Sequence, residues 1–404
     1  MPRICLSILR TAPPLTRYNP TLAFQPQAAT LPGGATALPG TYYTADDVLT
    51  MEIDRVFLRH WLCAGRSEQV ARPGSFLTFG LADERIVVVR DDGGRLAGFD
   101  NVCRHRGSLL CTEPTGEVGR LVTCPLHGWS YGLDGRLVHA PLMDGVDGFD
   151  PAAFSLPPVA TAEWEGFVFV HLGRDPEPFT SAWAGVQSQF TRWGLPDLSV
   201  VHQTDYLVEA NWKLIVENYS ECYHCPRIHP RFADRCRYRS GQNDRYAGPF
   251  LGGYMDLNPG YTTLSMSGAA CAAPLTREPD DLGRVHFYAL FPNLLLSLHS
   301  DYVVAYTLWP AAPGCTLVRC SWLFAVPPDG ATGDTEPGTG TGRTPFAPHD
   351  AVAFWDEANR EDFDALGLVQ QGMRSRRHRS GPYARQESLA AAFDQHLLQV
   401  LGEA

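Results

Sequence analysis

The sequence predicts an α+β protein with two structured regions, and two patterns along the 404 residues carry that prediction. Between residues 40 and 158, short runs such as SFLTFG and RIVVVR alternate with turn dipeptides, which is typical of a small antiparallel β domain. From residue 159 onward, strand-like runs such as GFVFVHL mix with helical periodicity near residues 212–224 and 349–374. We therefore expect an antiparallel β domain over 40–158 and an α+β domain over 159–404.

Two segments lack this periodicity. Residues 1–39 are rich in Pro, Thr and Ala and contain no acidic residue, so we expect a partly disordered leader. An unstructured leader or a misread start codon is favoured there over a targeting peptide. Residues 328–346 are rich in Gly, Thr and Pro and predict a mobile surface loop before the last long helix.

Charge and composition restrict the classes of function. A formal net charge of −11 argues against binding to nucleic acid or to anionic membranes. No apolar run approaches the roughly 20 residues of a membrane-spanning helix. Eleven cysteines at irregular spacing do not suit a disulfide scaffold, so we expect a reducing, cytoplasmic location that leaves thiolates free for metal.

A Cys-His pair occurs twice within 25 residues. CRHRG contains Cys103 and His105, and CPLHGW contains Cys124 and His127. Two thiolates and two imidazoles suit either a tetrahedral zinc site or a two-iron, two-sulfide cluster with thiolates on one iron and imidazoles on the other. The ligand types alone leave both possibilities open.

The residues around these pairs favour the iron–sulfur cluster. A glycine follows each pair, at Gly107 and Gly128, as expected for two loops that close over a cluster and donate backbone N–H groups to its sulfides. Trp129 and Tyr131 come next and can shield such a site from water. Zinc is the less favoured alternative.

A second concentration of metal-binding residues occurs in ECYHCPRIHP. Glu221 and His224 are three residues apart and share a helical face. His229 lies five residues beyond His224, about 140° around an ideal helix, so both imidazoles reach one metal only if the helix is interrupted. Pro226 lies between them, and we expect it to supply the interruption.

Two imidazoles and one carboxylate form the facial triad of non-haem Fe(II) enzymes. The run FWDEANREDFDALGLVQQG offers the carboxylate on a predicted helix, but chemistry alone does not choose one. The competing side chains are Asp356, Glu357, Glu361, Asp362 and Asp364.

These motifs resemble a known family. CRHRG and CPLHGWSY resemble the Rieske iron–sulfur motif, and the chain from LPGTYY to SGPYARQE is similar to the catalytic α subunit of Rieske-type, aromatic-ring-hydroxylating oxygenases. The resemblance implies an N-terminal antiparallel β Rieske domain followed by a helix-grip catalytic domain with a curved antiparallel sheet and long helices. It also implies a [2Fe–2S] cluster with Cys103 and Cys124 on one iron and His105 and His127 on the other.

The same resemblance implies roles in the second region. His224, His229 and Asp362 would bind a mononuclear Fe(II) that uses O2. Glu221 would connect His224 to His127 of a neighbouring subunit in a head-to-tail homotrimer, α3. The electrons would come from NAD(P)H through a reductase or ferredoxin partner.

Within that family, CRHRGSLLCTE, ENYSECYHC and FWDEANREDF most resemble enzymes of quaternary ammonium compounds, including glycine betaine and stachydrine demethylases. We therefore predict hydroxylation and loss of an N-methyl group from a small-molecule substrate. Alternatives are mono- or dihydroxylation of an aromatic ring or aromatic acid, and a Rieske electron carrier without oxygenase activity. A cationic substrate favours an aromatic cage, for which the strands offer Phe287, Tyr288, Tyr302, Tyr306 and Trp309.

Overall fold

The computed structural model describes residues 24–244, 249–326 and 346–403. The strands, numbered along the chain, are β1 Gln25–Pro26, β2 Leu62–Arg66, β3 Ser75–Leu81, β4 Glu84–Arg90, β5 Leu96–Asp100, β6 Thr115–Glu117, β7 Leu121–Thr123, β8 Ser130–Gly132, β9 Leu137–His139, β10 Pro158–Trp164, β11 Phe167–His171, β12 Ser199–Val208, β13 Gln242–Asn243, β14 Phe250–Asp256, β15 Arg284–Leu290, β16 Leu294–Leu298, β17 Val303–Ala312 and β18 Cys315–Phe324. The α-helices are α1 Thr41–Thr44, α2 Asp46–Arg55, α3 Phe179–Ala182, α4 Trp212–Tyr219, α5 Cys225–Ile228, α6 Pro230–Arg235, α7 Pro348–Met373 and α8 Ser388–Leu401. The α+β prediction is confirmed.

The N-terminal domain combines a seven-stranded antiparallel sheet, in the order β2-β11-β10-β5-β4-β3-β6, with a three-stranded sheet β7-β8-β9. The boundary expected between residues 158 and 159 is placed too early, because β10 and β11, which span residues 158–171, belong to this first sheet. Buried apolar side chains, including Val87, Phe99 and Val122, fill the space beneath the small sheet. That core supports the two loops with the Cys-His pairs.

The second domain is built on an eight-stranded antiparallel sheet in the order β1-β13-β14-β15-β16-β17-β18-β12. Helices α4, α7 and α8 pack against it, with α4 contacting both other helices. One large apolar core joins this sheet to the N-terminal domain, and the ring of Phe79 packs 5.2 Å from that of Trp309 across the junction. The two domains therefore form one packed unit along this junction.

The two segments without periodicity have different outcomes. Residues 1–23 of the expected leader lie outside the described residues, whereas residues 24–39 are described, and β1 pairs with β13 of the catalytic sheet. Nearly all of the expected loop at 328–346 also lies outside the described residues. Within the described part of the chain, no helix has the length and apolar character needed to span a bilayer.

Candidate active site and metal centres

The two Cys-His loops share one backbone pattern. The carbonyl of Cys103 accepts a hydrogen bond from Gly107 N–H at 3.0 Å, and the carbonyl of Cys124 accepts one from Gly128 N–H at 3.1 Å. Both glycines have left-handed φ values, 76° and 73°, which suit residues without a Cβ. The chain therefore presents the two pairs from two similar turns.

The four side chains differ in exposure by residue type. Cys103 and Cys124 are buried, while His105 and His127 are exposed and their ring centroids are 4.7 Å apart. Burial alone would raise the pKa of the Cys124 thiol, but backbone N–H groups of the same loop lower it below the usual value. A buried thiolate pair with an outer imidazole pair is a donor set that fits a two-iron cluster.

Two aromatic residues, Trp129 and Tyr131, pack against the histidine and cysteine side chains of this site, as the sequence suggested. The Trp129 ring stacks flat on His105, with centroids 4.8 Å apart and planes 7° from parallel. The hydroxyl of Tyr131 accepts a hydrogen bond from Arg104 N–H at 3.0 Å and lies 3.3 Å from Cys103 Sγ, to which its proton can be donated. Both aromatic side chains are buried and restrict water on the inner side of the site.

The second site begins at α4, which is held at its N-terminal end. Asn211 caps its N-terminus, since its side chain accepts from Lys213 N–H at 3.0 Å. Lys213 is fully buried, and its ammonium group pairs with the Glu52 carboxylate at 2.5 Å. Removing either charge would leave the other buried and unpaired. This pair therefore fixes the helix that precedes the metal-binding loop.

The helix is interrupted before Pro226, and not at Pro226 as the sequence predicted. Helix α4 ends at Tyr219, and the carbonyl of Val216 accepts from both the backbone and the hydroxyl of Ser220. The non-helical residues therefore precede Pro226, which instead stands in the first turn of α5. This turn places His224 and His229 on the same side, with ring centroids 5.2 Å apart.

Asp362 joins the two imidazoles. Its Oδ1 lies 2.8 Å from His229 Nε2 and 3.5 Å from His224 Nε2. One ligand atom from each of the three residues lies within 4.8 Å of the others. Asp362 continues the buried face of α7 formed by Trp355, Ala358 and Leu366, which explains why it points toward the histidines.

The other four acids of α7 have different partners or positions. Asp356 accepts from the Tyr206 hydroxyl and pairs with Arg360, Glu357 pairs with Arg231, and Asp364 is exposed. Glu361 was not singled out by the sequence, yet its Oε2 lies 2.7 Å from His229 Nδ1. Because its partner is 132 residues away, only the fold reveals this contact.

Glu221 has the equivalent position on the other imidazole. Its Oε1 lies 2.5 Å from His224 Nδ1. Burial alone would lower the pKa of His224 and His229, but hydrogen bonds and negative charge from the adjoining carboxylates raise both above the usual value. With each Nδ1–H donated to a glutamate, the Nε2 atom of each ring faces Asp362 and is the atom that would bind a metal.

This donor set lies in the wall of a cavity of about 720 Å³, a volume that includes its open mouth. Five Phe, Tyr and Trp rings of the described residues line it. Three of them, Phe232, Phe287 and Trp355, form a cluster near His229 in which each ring centroid is 6.3 Å from the other two. Glu221 and Asp362 provide the acidic groups of the wall. The cavity therefore combines an apolar aromatic surface with negative charge.

Of the five predicted cage residues, Phe287 alone lines this cavity. Tyr288 follows it on β15 and faces the opposite side, where its hydroxyl donates to Asp244. Tyr302 stacks on His299, Tyr306 donates to Asn359, and Trp309 packs on Phe79. The prediction named one strand of the cavity wall, β15, whereas β17 contributes no residue to it. The other aromatic lining residues were not predicted; they are Tyr219, Phe232, Tyr254 and Trp355.

Cys222 and Cys225, which flank His224, form a disulfide and line the cavity. The prediction that thiolates remain free therefore does not hold at these two positions. The other eight described cysteines are free, including Cys103 and Cys124.

A Rieske-like two-loop site and a His-His-Asp site on one chain define a two-centre iron oxygenase. Residues 60–150 match the Rieske [2Fe–2S] domain, and residues 195–403 match the catalytic domain of ring-hydroxylating α subunits. The chain belongs to the ring-hydroxylating oxygenase α-subunit family, as the resemblance predicted. It is a Rieske non-haem iron oxygenase, and its family uses a [2Fe–2S] cluster, mononuclear iron, O2 and electrons from a reductase.

Individual relatives agree with this assignment. The glycine betaine monooxygenase oxygenase subunit of Chromohalobacter salexigens is 31% identical over 385 residues, covering 87% of this chain and 82% of that protein. The carnitine monooxygenase oxygenase subunit of Acinetobacter baumannii is 34% identical over 217 residues, covering 53% of this chain and 57% of that protein. A crystal structure of the quaternary ammonium Rieske monooxygenase CntA with L-carnitine has a TM-score of 0.71 at 25% identity, covering 95% of this chain and 97% of that chain.

Proposed function

We propose that this chain oxidises an N-methyl group of a quaternary ammonium compound of the betaine type. The observation that carries the proposal is the His224, His229 and Asp362 cluster in the wall of a cavity lined by aromatic rings and two carboxylates. Aromatic faces and negative charge both attract a cation that has no hydrogen-bond donor. Similarity to glycine betaine and carnitine monooxygenase oxygenase subunits supports the same substrate class.

We assign the iron ligands from the donor atoms described above. Cys103 and Cys124 hold one iron of the cluster, and His105 and His127 hold the other. His224, His229 and Asp362 hold the mononuclear iron. When bound, these groups supply single electrons and activate O2, chemistry that amino-acid side chains lack.

The protein's own contribution is to orient and protect. Glu221 and Glu361 fix the tautomers of the two histidines by accepting their Nδ1–H groups. The aromatic wall excludes water and positions one methyl group near the Nε2 atoms. Overall, the substrate methyl, O2, two electrons and two protons give an N-hydroxymethyl cation and water. The bond between the nitrogen and the hydroxymethyl carbon of this cation then breaks, which releases formaldehyde, a tertiary amine and a proton.

Electron transfer requires a second copy of the chain in this proposal. His127 is exposed, and Leu126 beside it is 56% exposed; Tyr223, between Glu221 and His224, is 59% exposed. Such apolar side chains beside both sites suit an interface. We place His127 of one subunit against Glu221 of the next in a head-to-tail trimer, because a heterologous contact that closes serves every site once.

The electron donor in this proposal is a separate reductase or ferredoxin, and the location is the cytoplasm, where NAD(P)H is available. His105, the imidazole of the cluster site that is not used at the subunit contact, is also exposed and gives such a donor access. Among the described residues eight cysteines are free and two form the Cys222–Cys225 disulfide, and the free majority supports a reducing compartment.

Aerobic turnover with a surrogate reductase tests the substrate class. Glycine betaine, choline, carnitine and benzoate are supplied in turn while NADH loss and formaldehyde are measured. We expect formaldehyde in proportion to NADH consumed with at least one quaternary ammonium compound. A hydroxylated benzoate and no formaldehyde from any of the others would contradict the proposal and favour the aromatic alternative.

A further inference from the structure

The segment that precedes both family-matched ranges forms part of the cavity wall. Gln25 and Pro26 pair with Asn243 and Gln242, and the Phe24 ring packs 4.8 Å from that of Tyr254. Downstream, Thr30 accepts from the Asn243 side chain at 2.8 Å. These contacts attach the segment to the edge of the catalytic sheet.

Gln27 is the residue of this segment that reaches the cavity. Its backbone N–H donates to Gly241 at 3.2 Å, and its side-chain amide lies directly against the same glycine. A Cβ at position 241 would be only 2.3 Å from Gln27 Cδ. The amide therefore occupies space that Gly241 leaves free, and its position is defined.

The amide of Gln27 has no hydrogen-bond partner among the residues that the structure describes, and it is only half-buried. The side-chain amide of Asn243, by contrast, is paired, since its Nδ2 donates to both Thr30 and Ser388. An accessible, unpaired amide in a cavity wall is positioned to bind a polar ligand group.

The sheet register separates β1 and β13, the strands beside Gln27, from β15, which carries Phe287. Asn243, Gly253 and Phe287 are direct neighbours across β13, β14 and β15, so Asn243 and Phe287 are about 10 Å apart at the usual strand spacing. Gly253 between them has no side chain, and the Gln242 carbonyl lies only 1.8 Å from the position that a Cβ would take. The cavity thus has an aromatic side for a cation and an amide edge for a polar end.

We propose that Gln27 binds the carboxylate end of the substrate by donating its Nε2–H groups. This inference rests on the proposed function, since it assigns the second end of the same quaternary ammonium ligand. It makes Gln27, from a segment outside both matched domains, a residue that favours carboxylate-bearing over hydroxyl-bearing substrates.

Equilibrium binding to the full-length holoenzyme without O2 tests the role separately from turnover. Glycine betaine, choline and benzoate are titrated by calorimetry into the wild type, Gln27→Leu, Gln27→Glu and Gly241→Ala. Gln25→Leu, in the same segment but away from the cavity wall, is the matched control. Gly241→Ala displaces the amide without changing it.

We expect Gln27→Leu to weaken glycine betaine binding about tenfold or more, as expected for a lost hydrogen bond to a charged group. Gln27→Glu should weaken glycine betaine binding further, because the carboxylate of this ligand would then lie beside the carboxylate that the substitution introduces. The same substitution should weaken choline binding much less, because choline has no carboxylate. Gly241→Ala should change binding in the same direction, and Gln25→Leu should bind like the wild type.

Unchanged betaine affinity in Gln27→Leu, or an equal loss for betaine and choline in both Gln27 variants, would overturn the inference. If the wild type binds benzoate and neither ammonium compound, the proposed function fails, but the Gln27 comparison is then made with benzoate. A Gln27→Leu variant that still loses benzoate affinity would support the amide's role on its own.

Discussion

Glu361 Oε2 lies 2.7 Å from Nδ1 of His229, while Asp362 Oδ1 lies 2.8 Å from Nε2 of the same ring. Two consecutive acids on α7 thus contact both nitrogens of one imidazole. Only the Nε2 side faces the metal-binding cluster. In the proposed iron site these adjacent residues of the same charge would have different tasks, Asp362 as a ligand and Glu361 as the group that orients a ligand.

Replacing Glu361 by Ala should weaken the mononuclear iron site about 10–100-fold, the usual effect of losing a carboxylate that orients a metal-bound histidine. The measurement is iron occupancy at limiting Fe(II), with the visible spectrum of the cluster as an internal reference. Asp364→Ala, an exposed acid on the same helix, is the control. Equal iron occupancy in both variants would show that the contact is incidental.

Asp362→Ala should abolish mononuclear iron binding and oxygenation, because two imidazoles alone lack the carboxylate of the triad. The cluster is held by another domain, so its visible spectrum should not change. Asp356→Ala removes an acid that pairs with Arg360 and Tyr206, and this variant should retain its iron. A fully active Asp362→Ala protein would remove this residue from the ligand set.

The purified wild type should be brown, with two irons and two sulfides per chain at the cluster site. His127→Ala should lose that colour or change its spectrum strongly, since one iron then has a single imidazole. His139→Ala, an exposed histidine on β9, should keep the wild-type spectrum. A colourless, zinc-containing wild type prepared anaerobically would refute the Rieske assignment.

Acid should destabilise the fold through His396. Burial, with a smaller effect from His60, lowers the pKa of this imidazole from 6.5 to about 4. Below pH 6.5 the His396 imidazole is protonated in the unfolded chain, whereas in the folded chain it stays neutral down to about pH 4. The free energy of unfolding therefore decreases as the pH falls through this range, by up to about 3 kcal/mol. His396→Gln should reduce the loss.

Calorimetric melting temperatures between pH 7 and pH 4.5 measure this effect. We expect the melting temperature of the wild type to fall more steeply with acid than that of His396→Gln. His139→Gln, at the exposed position, should follow the wild type. Parallel curves for the wild type and His396→Gln would mean that another group controls acid stability.

Local patterns predicted the fold class and brought the metal-binding residues to attention. Cys-His pairs, turn glycines and helical spacing are all local properties that a chain displays without its fold. The choice of Asp362 among five acids needed the family resemblance, since all five suit a helix. The structure adds the physical reason, which is that Asp362 shares a face with buried Trp355 and Leu366.

Features that depend on distant contacts could not be predicted. The cage prediction identified the correct sheet, but alternate residues of a strand face opposite sides, so Phe287 reaches the cavity and Tyr288 does not. Gln27 begins a three-residue 3-10 helix directly after the two-residue strand β1, and the pairing of β1 with β13 sets its position. Such elements have no periodicity of their own for a sequence to display.

The most direct test of the complete account mixes two inactive variants. Asp362→Ala retains the cluster and lacks the mononuclear site, whereas His127→Ala has the opposite defect. The two chains, with different tags, are co-expressed and purified through both tags, and formaldehyde release is compared with that of each variant alone. If electrons pass from one subunit's His127 to the next subunit's Glu221, each mixed trimer has one productive contact and up to about a third of the wild-type rate. No activity above that of the separate variants, in trimers proven to contain both chains, would contradict the account.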